Sequence, residues 1–294
     1  MIRALGALLG WVAGSVLRIR RNHVEESMQA AGIARPGATA RAMYASLGAS
    51  LVEFALMMVW GRRALRHLAV RIDEASRARW EALLGEGRGV VVAASHTGNW
   101  DLAACAVAQD LELLVVTKHL SVRWMDRLWQ STRARLGVHL QDARGAVDRA
   151  RVVLRRGGAV AMLVDQVPIA ARHGSLVDFL GRPALTDRAP AALAASMRVP
   201  LVVAAGRRLP DGRHVLHVLE VLLPPARPAP LPRGWVLHAT RAATAALDAF
   251  VRAHPGQWLW LHRRWKPMLP RRCKSSSPRP PIPSSSPAGA SAAD

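Results

Sequence analysis

The apolar positions along this chain change rhythm once. Over roughly the first 86 residues they recur at helical spacing, and beyond that short unbroken apolar runs take over. The first run, Ala4 to Leu17, holds fourteen apolar or small residues and is followed by Arg18-Ile19-Arg20-Arg21. As a helix it would be roughly 21 Å long at about 1.5 Å per residue. A full span of the hydrocarbon core needs about 30 Å. The pattern therefore predicts a segment that anchors in, dips into or lies on a bilayer more readily than it crosses one. Its basic flank would sit among anionic headgroups. Two other readings compete. One is a secretory signal, opposed by the Arg-rich stretch and the lack of an A-x-A site; the other is an ordinary buried helix.

Asn22-x-x-Glu25 has the spacing of a capping box and predicts a helix from there to about Ala31, broken by Pro36-Gly37. Further helices are expected over 38–58, with Met43, Leu47, Leu51 and Phe54 on the apolar face, and over 73–84. The texture then changes. The runs 89–94, 113–116, 159–164 and 201–204 are short, apolar and rich in Val, which suits buried parallel strands. Helical stretches near 100–109, 122–136, 145–156 and 189–197 separate them. This alternation predicts an α/β fold with a mostly parallel central sheet flanked by helices. His214 to Leu222 alternates like an edge strand, and Trp235 to His254 reads as a late helix. The chain divides into a membrane-associating helix (1–21), a helical preface (22–86), an α/β core (87–272) and a Ser/Pro/Ala tail (273–294) expected to be disordered.

Composition sharpens this picture at two points. The net charge is +21, from 41 bases against 20 acids, and all but three of the bases are Arg. Such a field favours polyanionic partners: nucleic acid, an anionic membrane face or an acidic carrier protein. The Arg residues are scattered, with no helix-turn-helix, RNP or zinc-finger pattern, so a specific nucleic-acid partner is not expected. The two cysteines, Cys105 and Cys273, form neither a disulfide framework nor a zinc-binding spacing. No metal or other cofactor is expected.

The candidate chemistry lies where the strand around 89–94 ends, in Ser95-His96-Thr97-Gly98-Asn99-Trp100-Asp101. In open α/β sheets ligands gather at the carboxyl ends of strands. Asn99 suits the N-cap of the following helix, which puts Asp101 in its first turn. The Thr97-Gly98 bend would fold the His96 ring back over that turn. The Asp101 carboxylate would then bond one imidazole nitrogen and leave the other free as a general base. This is the base-and-orienter half of a Ser-His-Asp triad. No G-x-S-x-G elbow accompanies it, which favours a substrate hydroxyl as the nucleophile. The bland alternative is a His near a helix start with an Asp answering the helix dipole.

His96-Thr97-Gly98-Asn99-Trp100-Asp101 resembles the H-x-G-N-W-E motif of the bacterial lipid A biosynthesis (lauroyl and myristoyl) acyltransferases, within the glycerolipid acyltransferase superfamily with its His-x4-Asp motif. The resemblance continues through Arg133-x-Arg135-x-Gly137 and through Gly157-Gly158 to Asp165-Gln166. Phe179-Leu180-Gly181 with Thr186 carries it on, and it ends at Trp258-Leu259-Trp260-Leu261-His262-Arg263-Arg264-Trp265-Lys266. It covers roughly residues 1–267. Asp101 stands where the family usually has Glu, Lys118 where many members have Arg, and Val122 where Asn is frequent.

The resemblance implies transfer of an acyl group from acyl carrier protein, or another thioester such as acyl-CoA, to a hydroxyl of a lipid A precursor or related glycolipid. It implies work at the cytoplasmic face of the bacterial inner membrane and a fold like that of the glycerolipid acyltransferases. It also implies His96 and Asp101 as the catalytic dyad, with Arg133 and Asp165 as neighbours in substrate or oxyanion binding. Backbone amides near Gly98 and Asn99 are candidate oxyanion donors. The segment His262-Arg263-Arg264 would reach acceptor phosphates, or else Trp258, Trp260 and Trp265 simply pack it down. Other acceptors, such as a lysophospholipid or a phosphatidylinositol mannoside, would use the same dyad. A basic nucleic-acid-binding protein or a non-catalytic membrane-surface protein are the readings from other classes.

Overall fold

The computed structural model describes residues 1–226 and 228–265; Lys266, Cys273 and the predicted tail fall outside the described residues. The first 68 residues are helical: α1 (Ile2–Trp11) with a π-helical turn over Val12–Val16, α2 (Arg21–Ala30), α3 (Pro36–Trp60) and α4 (Arg62–Leu68). The predicted capping box is not formed. Arg20, in the left-handed region at φ 52°, precedes α2, and Asn22 lies inside the helix. Glu25 is instead taken by Arg21 one turn earlier. Helix α3 is long and apolar enough to cross a membrane, but 44% of its apolar window is buried within the chain.

α1 packs closely along α3, because Gly6 and Gly10, at four-residue spacing, fall on its contact face, and Gly14 in the π-helical turn that follows leaves room for the Tyr44 ring. A Cβ at Gly10 would stand 2.4 Å from the Tyr44 carbonyl oxygen, and one at Gly48 would stand 2.1 Å from that of Gly6. Small residues at this spacing let helix backbones touch. The opposite face of α1 exposes Leu5, Leu8, Leu9 and Trp11.

The core then alternates: β1 (Val70–Ile72), α5 (Glu74–Gly85), β2 (Val90–Ala94), α6 (Trp100–Val107), β3 (Leu113–Val116), α7 (Arg123–Arg135), β4 (Val138–Gln141), α8 (Ala146–Arg155) and β5 (Ala159–Leu163). A hairpin follows, β6 (Gly174–Phe179) and β7 (Arg182–Asp187), then α9 (Ala189–Met197), β8 (Leu201–Arg208), β9 (His214–Leu222) and α10 (Trp235–Ala253). One seven-stranded sheet runs β1-β9-β8-β2-β5-β3-β4, parallel except where β9 opposes β8. The fold is thus the α/β class read from the sequence. β9 differs from the edge strand expected there: β1 pairs outside it, Val70 opposite His214. A three-residue strand carries too little periodicity to announce itself.

Strand alternation divides the core into two layers. Val91 and Ala93 of β2 face α8, α9 and α10, with Val153, Leu193 and Ala243. Val90 faces α4 and α6, with Leu65, Leu102 and Cys105. Burying a side chain such as Leu102 completely contributes roughly 1.5–3 kcal/mol. The two central strands β2 and β5 are in register from Val90 opposite Ala159 to Ala94 opposite Leu163. That register decides what meets beyond their ends.

Candidate active site

Two residues past Ala94 is His96, and two residues past Leu163 is Asp165. The parallel register brings them together. Asp165 Oδ1 lies 2.8 Å from His96 Nδ1, and Oδ2 accepts the His96 backbone N–H at 2.7 Å. Oδ2 also accepts the Trp258 indole N–H at 2.7 Å. Asp165 is buried, and burial alone would raise its carboxyl. The adjoining His96 ring and its hydrogen bonds hold it well below the ordinary carboxylate range instead. A carboxylate only accepts, so His96 Nδ1 carries the proton and Nε2 keeps a lone pair.

Asp101 does not make the hydrogen bond expected of it. From the first turn of α6 it accepts from Arg133 Nη1 and from the Trp129 indole, each at 3.3 Å. The ring of His96 is reached from the neighbouring strand rather than from the helix beside it, and Asp165 already fills Nδ1. Burial pushes the Asp101 carboxyl up, against the pull of Arg133, the Trp129 N–H and His96. Arg133 is buried beside it and also donates to Thr117 Oγ1 at 3.1 Å and Gln130 Oε1 at 2.6 Å.

Asn99 caps α6 as predicted: its Oδ1 accepts the Leu102 backbone N–H at 3.0 Å. Its amide nitrogen donates to Glu53 Oε2 of α3 at 2.8 Å. Glu53 is gripped in turn by Arg208, through Nε at 2.8 Å and Nη2 at 2.7 Å, and by His214 Nε2 at 3.1 Å. This buried network fastens the preface to the loop that carries His96. Gly98 sits at φ +59° with its N–H given to the Gln257 carbonyl at 2.9 Å, so that amide is already engaged. A Cβ there would meet the Gly206 carbonyl oxygen at 2.8 Å.

The segment after α10 closes the site. Thr97 bridges to Trp258, and the Leu259 N–H bonds the His96 carbonyl at 3.0 Å. His262 is thereby carried to the His96 ring, with ring centroids 4.6 Å apart, while Trp100 flanks the other side at 4.9 Å. Gln166 Nε2 lies 3.3 Å from His96 Nε2 and 3.1 Å from His262 Nε2. Burial, then the adjoining His96, lowers His262 to about 4. Arg264 does not reach outward: it is buried and donates to the Leu185 carbonyl at 2.6 Å and to Thr186. The tryptophans do pack this segment, Trp258 against Phe179 at 5.4 Å and against Trp260 at 4.7 Å.

Neither Ser95 nor Cys105 is free to act as a nucleophile. Ser95 Oγ bonds Thr97 Oγ1 at 3.2 Å, and burial pushes the Cys105 thiol up to about 12. Among the described residues, no three His, Cys, Asp or Glu side chains come together to hold a metal ion. Beside Asp101 an apolar cavity opens between α6 and the sheet. The short side chains of Ala94, Ala161 and Ala204, with Gly206, leave it empty, and Trp80 and His217 also line it.

Gln166, His262 and the bridging Trp258 were beyond sequence reasoning as neighbours of His96, as was Glu53 as the partner of Asn99. Gln166 and His262 were visible only as members of motif segments. The arrangement is that of an imidazole oriented by a buried carboxylate beside an apolar cavity. No curated protein sequence matches the chain. The profile of the bacterial lipid A biosynthesis acyltransferases matches residues 1–267, so the chain belongs to that acyltransferase family.

Proposed function

We propose that the chain is an O-acyltransferase. It moves a fatty acyl group from the thioester of acyl carrier protein, or of CoA, to a hydroxyl of a lipid A precursor or related glycolipid. The observation that carries this reading is the clamp on His96: Asp165 fixes the ring from Nδ1 and leaves the lone pair on Nε2. His96 Nε2 takes the proton of the acceptor hydroxyl as its oxygen attacks the thioester carbonyl carbon. Asp165 stabilises the imidazolium that forms. The oxyanion develops near the N-terminal amides of α6, at the positive end of the helix. The carbon–sulfur bond then breaks, and the departing sulfur takes the proton from His96.

In this reading Asp101 acts one step back from the dyad named from the sequence. It anchors Arg133 and keeps that charge beside the reacting carbonyl. The cavity lined by Ala94, Ala161 and Ala204 receives the acyl chain, being apolar and reaching Ser95 and Thr97 on either side of His96.

A membrane setting at the cytoplasmic face of the inner membrane is supported by the exposed Leu5, Leu8, Leu9 and Trp11 on α1, with Val59 and Trp60 on α3. Arg18, Arg20 and Arg21 lie next to them in the chain, suited to anionic headgroups. The same positive field suits an acidic carrier protein. The test is mass spectrometry of cellular lipids on expression of the wild-type chain and of His96→Ala. A glycolipid gaining one acyl chain with the wild type alone is expected. No gain in any lipid from folded wild-type protein overturns the reading.

A further inference from the structure

His96 Nε2, the atom that takes the proton in the reading above, already has a neighbour. Gln166 Nε2 is 3.3 Å away, and the same nitrogen is 3.1 Å from His262 Nε2. The orientation of that amide is fixed by charge. Lys118 Nζ, which can only donate, faces Gln166 Oε1 at 3.4 Å. The NH2 group is therefore turned toward both imidazoles. One small polar atom thus stands within hydrogen-bond reach of two ring nitrogens whose residues are far apart in the sequence.

His262 is placed there deliberately by its own backbone. Arg20 donates to the Leu261 carbonyl at 2.8 Å, and His23 Nε2 lies 3.2 Å from the His262 carbonyl oxygen. Leu259 is tied to His96 from the other side. The ring is uncharged at neutral pH because burial, with His96, Lys118 and Arg20 as neighbours, opposes its protonation more than Asp165 favours it. A neutral imidazole offers Nε2 as acceptor or donor according to its tautomer, with no change of charge.

We propose that the acceptor hydroxyl takes the place of the Gln166 amide nitrogen, giving its proton to His96 Nε2 while its oxygen accepts a hydrogen bond from His262 Nε2–H. This rests on the acyl-transfer reading above. His262 is then a second catalytic residue, touching the attacking oxygen. It orients the oxygen's remaining lone pair toward the thioester carbon and transfers no proton itself. Gln166 is the resting plug that keeps water from the base until an acceptor displaces it. The proton inventory closes: the hydroxyl proton passes to His96 and then to the departing sulfur.

The test uses the full chain in detergent micelles, with lauroyl-acyl carrier protein as donor and a tetra-acylated, bisphosphorylated glucosamine disaccharide as acceptor. His262→Leu keeps the bulk and removes the donor, and should lower kcat for transfer at least thirtyfold with the donor KM within threefold of wild type. His262→Asn, whose amide N–H can donate, should recover at least a third of that loss on a logarithmic scale. His262→Leu within threefold of wild type, or His262→Asn no better than His262→Leu at equal melting temperature, overturns the proposal. Gln166→Ala gives an arm that needs neither acceptor nor a His262 variant. Without acceptor it should hydrolyse the donor thioester at least fivefold faster than wild type, and unchanged hydrolysis overturns the plug. His96→Ala separates the two readings. Transfer surviving in His96→Ala sinks the base assignment itself, whereas its loss alongside a neutral His262→Leu sinks only the role of His262.

Discussion

Both oxygens of Asp165 are committed to His96, one to the ring at 2.8 Å and one to the backbone N–H at 2.7 Å. A carboxylate bound in this way fixes the position and the tautomer of the imidazole together. Asp165→Asn keeps the shape but offers an N–H where an acceptor is needed. It should lower kcat by on the order of 10³–10⁴. Asp101→Asn leaves the Asp165 clamp intact and should lower kcat by less. Steady-state rates with a saturating acyl thioester compare the two; an Asp101→Asn defect as deep as that of Asp165→Asn would restore Asp101 as the orienting acid.

Arg133 and Asp101 form a buried pair at 3.3 Å. Removing one partner strands the other charge in a low-dielectric setting, so Arg133→Ala should destabilise the fold by about 3–5 kcal/mol. Urea unfolding followed by Trp fluorescence measures it, and a loss under about 1 kcal/mol would mean that water reaches Asp101.

The cavity exists because β2, β5 and β8 present Ala at Ala94, Ala161 and Ala204. Ala161→Leu should shift the preferred donor to a shorter acyl chain, at a packing cost of about 1–3 kcal/mol. Competition among donors of increasing chain length reads this directly, and an unchanged preference would move the acyl chain elsewhere.

His262 gives the fold a pH dependence of definite sign. Its pKa falls from 6.5 to about 4 on folding. Between those values the unfolded chain binds the proton and the folded chain does not, so stability rises with pH across that window, by up to about 3 kcal/mol. Below about pH 4 no further loss comes from this residue. Asp165 acts lower, because its depressed carboxyl loses its stabilising effect only as pH falls below the ordinary carboxylate range. His262→Asn should flatten unfolding free energy between pH 4.5 and 6.5; a slope matching wild type would assign it to other histidines.

Gly48 lies where a Cβ would meet the Gly6 carbonyl oxygen at 2.1 Å. Gly48→Val should lift α1 from α3, lowering the melting temperature and speeding tryptic cleavage after Arg18 and Arg20. Cleavage at the wild-type rate would show that the seam tolerates a side chain.

Much of this architecture was legible in the chain. Val-rich runs separated by helical stretches announced β2, β3, β5 and β8, and Asn99 announced the start of α6 through its capping oxygen. What escaped has a common cause. β1 has only three residues, and the β6–β7 hairpin, though its strands have six each, holds no unbroken apolar run like those of β2 and β3. The partner of His96 depended on strand register: Asp165 follows β5 by the same two residues by which His96 follows β2, and no local spacing encodes that two strands are neighbours. Asp101, close in sequence, looked the better partner for that reason. Trp258 and His262 arrive from the far end of the chain, tied in through backbone bonds that any residue type can make.

That last contact also gives the enzyme a built-in order of assembly. His96 and Asp165 are synthesised well before residues 257–262, yet the bridge from Thr97 to Trp258, the indole bond to Asp165 and the ring of His262 all wait for that segment. A nascent chain holds its base and its orienting acid without the strap that seats them. Competence to meet a reactive thioester therefore waits until residues 257–262 have been made, after every strand of the sheet.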